Sequence, residues 1–399
     1  MAFPACLCLG PHDIMIEITG TEPSGNGNMA ELAYAAVLTG KRAFETREVI
    51  IPRIGPDDGL LRMEAAGLCG TDYEQYDGHF AGTYLGTLPI TPGHEILGWV
   101  DRVGANAAKR WNVREGDRVI VETSIPCGDC PPCRDGRPIF CDANMGYGLR
   151  MGFDQAPHLW GGYASHLYLH PKTRLHRAPD NIPTGAMSLF NPMSNAVRWA
   201  WAKPDLREDQ TIVIEGPGQR GLLSIVAARE AGAGQIIVTG TKADTYRLEI
   251  ARELGADATI DVDAEDPVAR VMELTNGRKA DVVLDVSMGA VEPITQAMDM
   301  VKKGGTIVVA GVKTHNTIDN FSTDKLLFNE ISMLGVLSSD WEDTDKAIGI
   351  LQDKWTSLTK LCTHAYPLGQ AEKAVQLLGR EIQDGPEPIH IHIDTTTPP

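Results

Sequence analysis

The feature that most constrains this chain is the short apolar run Thr211–Glu215 leading directly into Gly216-Pro217-Gly218-Gln219-Arg220-Gly221. An apolar strand, then G-x-G-x-x-G, then a helical pattern reads as the first βα turn of a dinucleotide-binding fold. The first glycine permits the tight turn. The second lets the backbone approach a pyrophosphate, and the third lets helix and strand pack closely. The helix start offers free N–H groups and a positive dipole end to phosphate oxygens. A glycine motif alone is weak, but the downstream pattern supports this one. Strand-like segments 235–239, 258–261, 282–286 and 306–310 alternate with helical segments 245–254, 268–275 and 293–301. Such alternation predicts a parallel, doubly wound α/β sheet with crossover helices.

The first half has a different texture. From about Thr39 to His176, short β-prone segments such as 99–103 and 118–121 are punctuated by Gly and Pro, which predicts an irregular β-rich domain. A first strand is expected at 34–38, helices at 344–352 and 370–378, and an edge strand at 390–393. A chain of 399 residues exceeds the ~250–300 that one core supports. The expected division is a β-rich domain of residues 29–190 with 340–399, and a dinucleotide domain of 191–339. Residues 1–28, rich in Gly, Ser, Asn and Pro near their end, read as a disordered extension upstream of the natural start.

A net charge of -17 argues against nucleic acid and anionic membranes as partners. No run of ~20 apolar residues and no basic, apolar leader is present, so a cytoplasmic location is expected.

Cofactor choice is set at the end of the second strand, where NAD sites carry an acid for the ribose 2′-OH. Gly240 occupies that position, within Thr239-Gly240-Thr241-Lys242, and Arg247 follows. Gly240, Thr241, Lys242 and Arg247 are therefore expected beside the ribose, with a cation for a 2′-phosphate. NADP is favoured over NAD; the alternative is a carboxylate from Asp244.

Cys127, Cys130, Cys133 and Cys141 form C-x2-C-x2-C-x7-C. Four thiolates at this spacing suit a tetrahedral zinc with no open position, hence a structural metal. Disulfides and an iron–sulfur cluster are the alternatives. Upstream stand Cys69-Gly70-Thr71-Asp72 and Gly93-His94-Glu95, whose Cys and His are zinc-ligand types.

Taken in order, Cys-Gly-Thr-Asp, Gly-His-Glu, the four-cysteine lobe and G-x-G-x-x-G resemble the zinc-containing medium-chain dehydrogenase/reductase (alcohol dehydrogenase) family, over nearly the whole chain after Met29. The resemblance implies a GroES-like catalytic domain joined to a Rossmann-type domain. It also implies hydride transfer between NAD(P) and an alcohol, aldehyde or ketone, and a homodimer or homotetramer paired through residues 332–337. Cys69 and His94 would bind a catalytic zinc, Thr71 would relay the substrate proton, and Asp72 would orient the ligand histidine. Two positions depart from the family pattern. Asn191 stands where relatives carry an anionic ligand, so Glu95 is expected to complete the site. Glu74 stands where many carry a relay histidine. The rival readings are a reductase of the same fold without catalytic zinc and a non-catalytic cofactor-binding protein. The remaining histidines, at 158, 166, 170, 176, 390 and 392, and Trp160, Trp199 and Trp201, are expected to be structural.

Overall fold

The computed structural model describes residues 30–397, apart from 84, 315 and 320. The extension expected at 1–28 lies outside the described residues. The first half contains β1 (Leu32–Gly40), β2 (Ala43–Ile50), β3 (Gly59–Gly67), β4 (Glu95–Val103), β5 (Arg118–Val121), β6 (Ser124–Ile125), β7 (Met145–Gly146), β8 (His166–Leu169) and β9 (Leu175–Arg177). The second half contains β10 (Thr211–Glu215), β11 (Gln235–Gly240), β12 (Ala258–Asp261), β13 (Ala280–Asp285), β14 (Val301–Val309) and β15 (Ser332–Gly335). The chain then returns to the first sheet with β16 (Cys362–Pro367) and β17 (His390–Asp394).

The second group forms one six-stranded sheet in the order β12-β11-β10-β13-β14-β15, parallel throughout. Strands covered on both faces need continuous apolar runs rather than alternation. Ile212-Val213-Ile214 and Ile236-Ile237-Val238 are such runs, all fully buried. The helix Gln219–Glu230 packs Leu222, Leu223 and Ile225 into the core that also takes Ile212 and Ile214. Strand order reverses between β10 and β13. That switch point opens a crevice at the strands' carboxyl ends, where open α/β sheets bind ligands. The glycine-rich turn leaves β10 at this crevice.

The other large sheet runs β16-β17-β3-β4-β5-β9, with β8 also paired to β3. Its pairs are antiparallel except β16–β17. In the β3–β4 register Gly67 faces Glu95. The last residue of β3 and the first of β4 therefore lie side by side. This brings two motifs together that are 25 residues apart in sequence.

Two expectations need correction. The segment at 390–393 is not an edge strand: β17 lies between β16 and β3, and His390 to Ile393 are all buried. Its alternation reflects polar partners inside the sheet rather than solvent, since His390 bonds to Gln219 and Ser188. The helix expected at 344–352 runs from Trp341 to Leu358, because Asp340 and Asp343 form a capping box that starts it earlier. Among the described residues no helix is long and apolar enough to cross a membrane.

Candidate active site

Cys69 follows β3 and caps the helix Gly70–Tyr76. Its backbone N–H donates to Asp72 Oδ2 at 2.9 Å, while Asp72 N–H donates to the Cys69 carbonyl at 2.9 Å. Cys-x-x-Asp is thus a local unit that fixes the thiol's direction. His94 precedes β4. Gly93 before it has φ +89°, and an added Cβ there would lie 2.5 Å from the Tyr163 ring. Only glycine fits that backbone, and it turns the His94 ring toward Cys69.

The result is a close cluster. Cys69 Sγ lies 3.2 Å from His94 Nε2, and His94 Nδ1 lies 3.6 Å from Asp72 Oδ1. Glu95 is fully buried, and its Oε2 has no hydrogen-bond partner. Ligand atoms of Cys69, His94 and Glu95 all lie within 4.8 Å of one another. One sulfur, one nitrogen and one carboxylate oxygen, converging and buried with an orphaned acceptor, fit a zinc ion with one open position. Asp72 stands behind the far nitrogen of His94, the position of an outer-shell carboxylate, although the two atoms are not hydrogen-bonded. Burial pushes the Cys69 thiol up, but His94 and Arg220 outweigh it and hold it well below the usual thiol range. Burial pushes Glu95 up to about 8, with the neighbouring thiolate adding to the rise. Thr71 lies in the first turn of the helix that Cys69 caps. Glu74 is buried and its carboxylate is engaged by His79 Nδ1. Asn191 lies on the helix Phe190–Ala196, and its side-chain oxygen accepts from Asn195 Nδ2 at 3.2 Å.

The four lobe cysteines also converge, their sulfurs all within 4.8 Å. They are free thiols, with Cys130 and Cys141 sulfurs 3.8 Å apart, far beyond a disulfide bond. Backbone N–H groups of Asp129 and Cys130 point at Cys127 Sγ at 3.4 and 3.3 Å and lower it to about 6. Burial raises Cys133 to about 12. Four sulfurs with no further donor fit a closed structural zinc site.

At the switch point, Gly216 has φ +107° and its N–H donates to the Thr239 carbonyl at 3.0 Å. Gly218 caps the helix Gln219–Glu230 without a side-chain hydrogen bond, which leaves the first N–H groups for an anion. Gly221 lies directly against the Gly216 carbonyl, leaving no room for a side chain. Gly240 ends β11, and an added Cβ would lie 2.9 Å from Pro217, so the turn itself excludes an acid there. Thr241 is bound to Asp244 Oδ2 through both N–H and hydroxyl. The other Asp244 oxygen faces Arg247 and Arg380, each at 3.4 Å. Arg247 is also taken up by the Pro388 carbonyl at 2.6 Å and by Glu387 at 3.1 Å. Lys242 is exposed, with its backbone N–H on Asp263. Trp160 and Trp199 are buried and donate to carbonyls of Gln155 and Ser338.

Sequence reasoning missed the inward reach of Gln219 and Arg220, which occupy the unconstrained positions of the glycine motif. Gln219 Nε2 donates to the Leu68 carbonyl at 3.1 Å, and Arg220 Nη2 to Glu95 Oε1 at 3.3 Å. It also missed Lys313, whose Nζ lies 2.7 Å from the fully buried Asp285 at the end of β13. No local pattern marks either.

A dinucleotide turn beside a buried Cys–His–carboxylate cluster is the arrangement of a nicotinamide-linked oxidoreductase with a candidate metal site. Comparison with known proteins agrees. Residues 55–180 match the family model "Alcohol dehydrogenase GroES-like domain", and 221–353 match "Zinc-binding dehydrogenase". A Mycobacterium tuberculosis protein named "Probable alcohol dehydrogenase" is 38% identical over 361 residues, covering 89% of this chain and 96% of that one. A sorbitol dehydrogenase of Halalkalibacterium halodurans is 31% identical, covering 83% and 91%. The crystal structure of an alcohol dehydrogenase from Thermotoga maritima superposes with a TM-score of 0.82 at 27% identity, covering 91% and 99%. The chain belongs to the zinc-containing alcohol dehydrogenase family of medium-chain dehydrogenases/reductases, and is an NAD(P)-linked oxidoreductase.

Proposed function

We propose that the protein interconverts a small alcohol or polyol and its carbonyl compound with NADP, and that Cys69, His94 and Glu95 hold a catalytic zinc. The observation that carries this reading is the buried cluster of Cys69, His94 and Glu95, whose ligand atoms lie within 4.8 Å of one another and whose carboxylate keeps one oxygen unpartnered. When bound, zinc supplies a Lewis acid for the substrate oxygen and the dinucleotide accepts or returns the hydride. The chain's own residues do the rest. Thr71 relays the hydroxyl proton, accepting it on its oxygen while its own hydroxyl proton passes on to solvent, and the relay runs in reverse on reduction. Asp72 holds the orientation of His94. Gly216, Gly218 and Gly221 shape the turn that receives the pyrophosphate, which the free N–H groups of the following helix's first turn bind. Cys127, Cys130, Cys133 and Cys141 hold the structural zinc.

NADP preference is supported by the absence of a carboxylate at Gly240, the neutralisation of Asp244 by two arginines and the exposed Lys242. The polyol class is suggested by the names of relatives such as sorbitol dehydrogenase. The catalytic domain comprises residues 29–190 with 340–399 and the cofactor domain residues 191–339, in a cytoplasmic setting. The protein assembles as a homodimer or homotetramer paired along β15, which ends the parallel sheet. Light scattering that finds only monomer at micromolar concentration removes the assembly.

Metal analysis tests the site. Wild type should hold two zincs per chain. Glu95→Gln should lose most of one zinc and most turnover, whereas Asn191→Ala should lose little of either. A fully active protein with zinc only on the cysteine lobe would overturn the reading and favour the zinc-free reductase.

A further inference from the structure

The glycine-rich turn and the candidate metal site are joined by two consecutive side chains. Gln219 Nε2 holds the carbonyl of Leu68, the residue before Cys69. Its Oε1 lies 2.9 Å from Nδ1 of the fully buried His390, whose Nε2 lies 2.8 Å from Ser188 Oγ. Gln219 is therefore anchored on both ends of its amide. Arg220 donates to Glu95 Oε1 at 3.3 Å, leaving Oε2 as the oxygen without a hydrogen-bond partner. The Arg220 guanidinium also lies over the Trp199 ring at 5.7 Å, and its Nε is buried without an acceptor. One turn thus grips the backbone beside one metal-ligand candidate and the side chain of another.

We infer that Arg220 is a positioning residue that couples dinucleotide binding to zinc retention. Its contact with Glu95 Oε1 selects Oε2 for the metal, and ordering of the turn by a pyrophosphate orders Glu95 with it. The inference rests on the reading of Glu95 as a zinc ligand. Two sites that share an ordered element are linked reciprocally. Cofactor must tighten zinc by the same factor by which zinc tightens cofactor. The expected factor is about five-fold or more, the low end of ordinary coupling.

The test is zinc competition against a chromophoric chelator, with and without saturating NADP, on the full-length protein. Uptake by Cys69→Ser gives the contribution of the cysteine lobe. In wild type, cofactor should raise zinc affinity at the catalytic site about five-fold or more. In Arg220→Gln the ratio should fall to near one. In Arg220→Lys, which keeps the charge, it should lie between the two. This second variant also serves if the glutamine protein fails to fold. A ratio near one in wild type, or an undiminished ratio in both Arg220 variants, overturns the coupling. Glu95→Gln separates the two levels. If it holds zinc as tightly as wild type, the ligand reading fails. If it loses zinc while the Arg220 variants keep the wild-type ratio, only the coupling fails.

Discussion

Gly67 and Glu95 face each other across the β3–β4 pair, and an added Cβ at position 67 would overlap Glu95 Oε2. The carboxylate occupies the space that a side chain on the neighbouring strand would fill.

This relationship predicts the effect of Gly67→Ala. The new methyl must move either β3 or the Glu95 carboxylate, an overpacking cost of about 1–3 kcal/mol. Because Glu95 is the softer of the two, we expect zinc at the catalytic site to fall with turnover, while the lobe zinc is retained. Metal-to-protein ratios and kcat measured on the same preparation check this. Full zinc content in an active Gly67→Ala protein would show that Glu95 does not need that space.

The cysteine lobe gives a separable outcome. Cys130→Ser should release one zinc and lower Tm, because the metal closes a loop that has little core of its own. The ratio kcat/KM should change far less than Tm at temperatures where the variant stays folded. A lobe that carries no metal in purified wild type would remove the assignment.

For cofactor choice, wild type should show the higher kcat/KM with NADP. Lys242→Ala should reduce that advantage by about ten-fold, the low end for a charge-assisted contact because Lys242 is exposed. Equal use of both cofactors by wild type contradicts this prediction.

His176 provides a pH prediction away from the active site. Its Nε2 lies 2.8 Å from Glu122 and its Nδ1 2.7 Å from Asp345, so it straps β9 to the helix Trp341–Leu358. Burial alone would lower its pKa, but the two carboxylates outweigh burial and raise it above the ordinary histidine value. A raised folded pKa stabilises fully below the unfolded value of about 6.5 and loses that contribution as pH rises through the folded value. Wild type should therefore exceed His176→Gln in Tm most at about pH 6, with the gap narrowing toward alkaline pH. A gap that stays constant with pH would mean the strap carries no charge change.

Much of the fold was legible because its signals are local. The continuous apolar runs of β10, β11 and β13, the glycine turn after β10 and the Cys-x-x-Asp cap at Cys69 each act within a few residues. The candidate ligands were legible for the same reason, as motifs of the right donor types. Sequence alone could not choose Glu95 over Asn191 from geometry, nor reveal that β17 is an interior strand. It also could not show that Arg220 reaches Glu95. These depend on the β3–β4 register and on which strand covers which edge. They depend as well on a contact between residues 125 positions apart. The sequence determined the strands, the turn and the donor types, because hydrophobic period, glycine backbone freedom and ligand chemistry are properties of short segments. The tertiary structure decided which donors meet, because only the packing of the two sheets leaves one oxygen of Glu95 bonded to Arg220 and the other without a partner.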